Sequence, residues 1–165
     1  MELHIITTGG TIDKTYFDAK SDYQVGAPVI GEMLDALGVH FPYTVESAMR
    51  KDSLDMDDSD REKIRACVNR CDEAHVLITH GTDGMVTTGK ALQNIDNKII
   101  VLTGALQPAA FRNSDAVFNI GCAIGALQRA SPGVYIAVNG RVFDIDNVQK
   151  NVAKNRFEAL ISRTA

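Results

Sequence analysis

Apolar residues along this chain recur in two rhythms. Short unbroken runs rich in Ile, Val and Leu occupy residues 3–7, 75–79, 98–103 and 134–138. Runs of that length predict strands buried on both faces. Between them apolar residues return every three or four positions. Ile30, Met33, Leu34 and Leu37 form one such set, Ile64, Cys67, Val68 and Cys71 a second, and Val117, Ile120, Ile124 and Leu127 a third. These predict helices over about 29–37, 57–70 and 114–130, with a further helix running to about residue 94. Gly38 stops the first. The second opens with Asp57, Asp58 and Asp60, which suit a positive helix terminus, and Ser59 with Glu62 is spaced for a capping box. Residues 41–49 predict another strand. Asn139-Gly140 predicts a tight hairpin that returns through 141–144. The polar, mixed stretch after Thr11, to about residue 28, reads as a long loop, and residues 152–163 as a terminal helix.

Apolar strands alternating with amphipathic helices predict an α/β fold, a mainly parallel sheet covered on both faces. In such sheets ligands collect beyond the carboxyl ends of the strands. Two loops of small residues lie there, Thr8-Gly9-Gly10-Thr11 and His80-Gly81-Thr82-Asp83-Gly84.

Composition narrows the class. The length of 165 residues fits one domain. With 45% hydrophobic and 23% charged residues, 13 Gly and 4 Pro, disorder, collagen repeats and coiled coil are excluded. Seventeen Lys and Arg against 21 Asp and Glu give a net charge of −4 with no basic run, which argues against a nucleic-acid partner. No apolar stretch approaches the ~20 residues of a membrane span. The first residues lack the basic and apolar regions of a signal peptide. Three cysteines, an odd number, fit a reducing compartment, so a cytoplasmic location is expected.

The chemistry concentrates in the two loops. Paired glycines allow a sharp turn after the first strand that presents a hydroxyl and bare N–H groups toward one point. Those parts suit attack on a carbonyl with donors for the oxyanion. They equally suit a plain turn whose Thr hydroxyls bond the backbone. Phosphate binding lacks support, because neither G-x-G-x-x-G nor G-K-[ST] is present. In the second loop Thr82 offers a hydroxyl, and Asp83 a carboxylate able to orient a Lys, hold an ammonium, or cap the next helix. His80, closing a buried strand, reads as hydrogen-bonded structure. A Thr hydroxyl needs a base, and a desolvated lysine can serve. Lys150 and Lys154 both stand near the end of the chain, and spacing does not choose between them. The four His residues show no metal spacing, Cys67 and Cys71 lie on an apolar stripe, Asp144-Ile145-Asp146-Asn147 lacks the rest of a calcium loop, and no G-x-S-x-G elbow occurs.

Together, in this order and each after an apolar strand, Thr8-Gly9-Gly10-Thr11-Ile12 and His80-Gly81-Thr82-Asp83-Gly84 resemble the two signatures of the bacterial-type L-asparaginase/glutaminase family. Asp22-Tyr23-Gln24-Val25-Gly26 resembles its mobile-loop tyrosine, Ser53-Leu54-Asp55-Met56 its substrate-binding serine, Thr103-Gly104-Ala105-Leu106-Gln107-Pro108 its third conserved stretch, and Val148-Gln149-Lys150-Asn151 the segment of its catalytic lysine. The resemblance implies a flavodoxin-like, three-layer N-terminal catalytic domain spanning residues 1–165, with the family's C-terminal domain absent. It implies hydrolysis of L-asparagine, with L-glutamine as the second amide, through a Thr11 acyl-enzyme. Tyr23 then lies against Thr11, and Thr82, Asp83 and Lys150 form a proton relay. Ser53 and the Gly81 backbone take the α-carboxylate, Asp83 takes the α-ammonium, and Gly104 and Ala105 face the amide. Leu54 stands where many secreted members carry a polar residue that touches the amine. No metal or cofactor is implied. A homo-oligomer, dimer or tetramer, is expected, as are a small-molecule substrate and no membrane partner. Two other readings remain open: an aspartate- or asparagine-binding module without turnover, and an amidase subunit of a larger amidotransferase.

Overall fold

Burial on both sides of the apolar runs is what makes the sheet the centre of the molecule. The computed structural model describes residues 1–18 and 21–160. The strands are β1 (Leu3–Gly9), β2 (Lys14–Phe17), β3 (Asp22–Val25), β4 (Tyr43–Lys51), β5 (His75–Thr79), β6 (Ile99–Thr103), β7 (Gly133–Val138), β8 (Arg141–Asp144), β9 (Gln149–Asn151) and β10 (Arg156–Glu158). The helices are α1 (Ile30–Leu37), α2 (Asp58–Arg70), α3 (Met85–Ala91) and α4 (Ala116–Leu127). Six strands form one sheet in the order β4-β1-β5-β6-β7-β8. Neighbours are parallel except β7 with β8, the hairpin that Asn139-Gly140 closes. The strand order therefore reverses at β1, and the crevice between the ends of β1 and β5 is where such sheets receive ligands.

Alternate side chains along each strand feed opposite cores. Ile6, Ile78, Ile100 and Ile136 pack with Ile64 and Val68 of α2 and Met85 of α3. Leu3, Ile5, Leu77 and Val101 pack on the other face with Ile30 and Leu34 of α1 and with Ile120, Ala123 and Leu127 of α4. The result is the expected three-layer arrangement. Among the described residues no helix is long and apolar enough to cross a membrane.

Four local expectations need correction. The polar stretch after Thr11 is not an open loop but an antiparallel hairpin, β2 with β3, pairing Thr15 with Gln24 and Tyr16 with Tyr23. Its strands are largely exposed, so no apolar run announces it. The capping box of α2 is built just ahead of Ser59 and Glu62: Asp57 accepts from the Asp60 backbone N–H at 2.9 Å and Asp60 accepts from that of Asp57 at 3.3 Å. A carboxylate at both places satisfies two free amides and complements the helix dipole. On α4 the buried stripe is Ala116, Asn119, Ile120, Ala123 and Leu127, while Val117 faces outward. Small alanines let this helix sit close to the sheet. The terminal helix does not form over 152–160. Those residues turn at 152–155 and return as β10, and 161–163 lie outside the described residues. Buried Phe157 anchors that return beneath Lys150, its partner on β9.

Candidate active site

Four strand ends build the site. Thr11 follows β1 in a short 3-10 turn, Thr11–Asp13, after two glycines at φ +95° and +86°. Only glycine holds those angles without strain. A Cβ on Gly10 would stand 2.5 Å from Gly81 Cα, and one on Gly81 would overlap Ser53 Oγ. The loops after β1, β4 and β5 therefore touch backbone to backbone, and any larger residue separates them. Thr8 is committed to structure, its hydroxyl donating to the Thr79 carbonyl at 2.9 Å. The Thr11 hydroxyl has no protein partner among the described residues.

Beyond β5 lies the most polar cluster. Lys150 Nζ is 2.8 Å from Thr82 Oγ1 and 2.5 Å from Asp83 Oδ1. The lysine side chain is 9% exposed, against 39% for Asp83. Asp83 does not cap α3; Gly84 holds that position without a side-chain bond. Of the two lysines near the end of the chain, Lys150 enters this cluster, and Lys154 pairs with Glu158 instead. The antiparallel pairing of β9 with β10 fixes Lys150 from behind.

Ser53 is buried, and its Oγ accepts the Gly84 N–H at 3.1 Å, which ties the β4 loop to the start of α3. Leu54 beside it points into solvent, 75% exposed. Gly104 and buried Ala105 follow β6. The Gly104 carbonyl accepts from Asn119 Nδ2 at 2.9 Å, and the Asp115 carboxylate accepts the Leu106 and Gln107 amides at 3.0 and 3.1 Å. Tyr23 rides on the β2–β3 hairpin, half exposed. Its ring is edge-on to Tyr16 at 5.4 Å and to Phe111 at 5.7 Å.

Burial and pairing set the charge states of the groups around the cluster. His80 is wholly buried; its Nδ1–H donates to the Gly81 carbonyl at 2.8 Å and its Nε2 accepts from the Thr88 hydroxyl at 2.9 Å. Both nitrogens are used, and burial pushes its pKa down to about 4, so it stays neutral. Asp52 pairs with Lys14 at 2.8 Å, and that contact, with the Leu54 N–H, holds its carboxyl below the usual range. Asp13 behaves oppositely: burial raises it to about 6. Among the described residues no three His, Cys, Asp or Glu side chains gather as a metal site requires. What the cluster can do is move a proton between a hydroxyl, an amine and a carboxylate, beside a second, unengaged hydroxyl on an adjoining loop.

Sequence reasoning missed Asp13, Phe111, Asp115 and Asn119. Asn119 had a readable signal, a polar residue at helical spacing from Asp115 on an otherwise apolar helix. Phe111 and Asp13 had none, since each acts through a long-range contact.

The chain matches the family described as asparaginase, N-terminal, over residues 2–164. L-asparaginase 2 of Escherichia coli is 31% identical over 157 residues, covering 88% of this chain and 45% of that protein. A glutamyl-tRNA(Gln) amidotransferase component of Methanococcus vannielii is 36% identical over 80 residues, 47% of this chain and 19% of that one. The solved structure of the thermostable L-asparaginase from Thermococcus kodakarensis superposes with a TM-score of 0.82 at 25% identity, covering 96% of this chain and 51% of its own. The chain thus spans about half the length of that structure, and less than half of each of these curated relatives is matched.

Proposed function

Since the chain belongs to the asparaginase family through that family's N-terminal domain, we propose that it is an amidohydrolase that converts L-asparagine to L-aspartate and ammonia through an acyl-enzyme on Thr11. The observation that carries this reading is the contact of Lys150 Nζ with Thr82 Oγ1 at 2.8 Å and with Asp83 Oδ1 at 2.5 Å, made by residues nearly seventy positions apart. In the resting arrangement the ammonium donates to both. Once the amine has lost a proton, the short contact to Thr82 runs in reverse, and Nζ draws the hydroxyl proton.

Thr11 Oγ attacks the side-chain carboxamide carbon, and its proton leaves through the relay. The tetrahedral oxyanion is met by backbone N–H groups, a role we give to those of Gly104 and Ala105. The C–N bond breaks, ammonia departs with the proton, and a β-aspartyl ester remains on Thr11. Water, its proton passing through Thr82 to Lys150, attacks the ester carbon; the acyl C–Oγ bond breaks, the proton returns to Thr11 Oγ, and aspartate leaves. Ser53 and the Gly81 backbone hold the α-carboxylate. Asp83 keeps Oδ2 for the α-ammonium while Oδ1 serves Lys150. Tyr23 covers Thr11 from the hairpin and excludes water from the first step. All these side chains belong to one domain, which we take to carry the chemistry.

A second reading is favoured by the similarity to the amidotransferase component: the same relay acting on glutamine. Steady-state ammonia release from asparagine and from glutamine, by wild type and by Thr11→Val, tests both. The proposal expects release from asparagine that Thr11→Val abolishes. Preference for glutamine favours the second reading. Saturable stabilisation by aspartate without ammonia from either amide, in a folded wild type, overturns both.

A further inference from the structure

The β2–β3 hairpin leaves the fold immediately after Asp13 and returns at residues 26–29. Both points converge on Asp13 itself. Its backbone N–H donates to the Gly10 carbonyl at 3.2 Å, its carbonyl accepts the Gly26 N–H at 2.8 Å, and its Oδ1 accepts the Val29 N–H at 3.0 Å. The residue is 2% exposed, and Oδ2 is buried with no partner. A buried carboxyl with one oxygen unsatisfied is costly to keep unless it holds something in place. Here it closes the stem of the hairpin that carries Tyr23, within the single short turn that begins at Thr11.

We propose that Asp13 is a positioning residue: it clasps both ends of the hairpin excursion and so fixes the position of Tyr23, the side chain we assign to cover Thr11. The inference rests on the reading of Thr11 as nucleophile for its catalytic consequence, though not for the clasp itself. The β2–β3 ladder, which pairs Lys14 with Val25, joins the two strands to each other but not to the turn that carries Thr11. The contacts that tie the hairpin to the rest of the fold act at single points: Lys14 pairs with Asp52, the Ile12 carbonyl accepts the Ala109 N–H at 3.1 Å, and Tyr23 meets Phe111. None of these three fixes both ends of the excursion to that turn. The hydrogen-bond requirement is for an acceptor at Oδ1, which an asparagine supplies with nearly the same shape and an alanine does not. Of the charged groups packed around Asp13, the Arg50 guanidinium on β4 acts on it, while Lys14 next to it is engaged with Asp52.

The test compares the full-length wild type with Asp13→Ala and Asp13→Asn. Three quantities are read: proteolytic cleavage within residues 14–25 below the melting temperature, kcat and KM for asparagine, and the pH dependence of the Val29 amide resonance. The clasp expects Asp13→Ala to be cleaved at least about tenfold faster while otherwise folded. Its kcat falls by about 10- to 100-fold, because a displacement of an ångström at the reacting group costs that much, and KM changes far less. Asp13→Asn restores both to within about threefold of wild type. In wild type the Val29 amide titrates with a midpoint of about 6, the value to which burial raises Asp13, and in Asp13→Asn it is flat. Wild-type cleavage and kcat in a folded Asp13→Ala overturn the proposal. So does an Asp13→Asn protein as loose as Asp13→Ala. If Asp13→Ala does not fold, a Val29 amide that ignores pH in wild type overturns it, and one that titrates, with cleavage unchanged in Asp13→Asn, upholds it. Should wild type release no ammonia, the proposed activity falls, while cleavage and the Val29 titration still decide the clasp.

Discussion

Acidification should destabilise this fold through His80, and the size of the effect follows from its surroundings. The imidazole is fully buried and neutral, with Nδ1–H on the Gly81 carbonyl and Nε2 taken by Thr88. Protonation places a second N–H at Nε2, where the Thr88 hydroxyl must reverse to accept it, and leaves a charge without a carboxylate beside it. The folded pKa therefore lies at about 4 against 6.5 for the free side chain. A folded-state value below the unfolded one gives stability that is complete above pH 6.5 and is lost as pH falls toward 4. The gap amounts to about 3 kcal/mol at pH 4. In a domain of this size that is a fall of roughly 6–12 °C in melting temperature. Other acid-sensitive groups contribute as well, so the informative quantity is the difference between wild type and His80→Asn. That variant loses packing and one hydrogen bond, at a cost that does not depend on pH. Urea unfolding of both proteins from pH 8 to pH 4 should show the stability advantage of wild type shrinking by about 3 kcal/mol across the window between the two pKa values. A constant difference refutes the reasoning, as does an imidazole resonance that titrates near 6.5 in the native protein.

Further outcomes follow from the same geometry. Lys150→Met should lower kcat for asparagine by about 10²–10⁴-fold, and Lys150→Arg should not restore it, because a guanidinium does not give up its proton near neutral pH; equal rates in all three proteins would remove the lysine from the mechanism. Phe111→Ala deletes the edge contact to Tyr23, worth about 0.5–1.5 kcal/mol, so kcat/KM should drop up to about tenfold with the melting temperature nearly unchanged, as read by parallel kinetics and thermal unfolding. Asp13 gives a pH effect of the opposite sign to His80. Its folded pKa is raised, from 3.8 to about 6, so wild type should lose up to about 3 kcal/mol relative to Asp13→Asn as pH rises between those values, measured by the same denaturant series.

What could be read from the sequence was whatever depends on neighbours in the chain. The apolar runs at 75–79 and 98–103 became β5 and β6 because a buried parallel strand needs little beyond continuous apolar residues. Gly38 ends α1 in the left-handed conformation expected of it. The hairpin at 14–25 escaped notice because both faces of an exposed ribbon are polar or aromatic, so neither rhythm appears. The end of the chain misled for the opposite reason. Val152, Phe157 and Leu160 suggest spacing around a turn, yet only Phe157 finds a core to enter. At the site, the glycine pairs and the two threonines were visible as motifs. Spacing did not choose Lys150 over Lys154; only the family resemblance of Val148-Gln149-Lys150-Asn151 did, because the β9–β10 pairing that positions the lysine is encoded by no local pattern. Asp13 was passed over because its burial is a property of the folded stem, not of the residues beside it.

Rapid mixing of the protein with asparagine, acid quenching, and peptide mapping by mass spectrometry test the central claim most directly. A transient aspartyl ester is expected on the peptide that contains Thr11, formed with a burst of ammonia in wild type. Thr82→Val should slow both formation and breakdown of that ester. Ammonia released with no adduct at any time point, or an adduct that maps to Thr82 or Tyr23, contradicts the proposed mechanism.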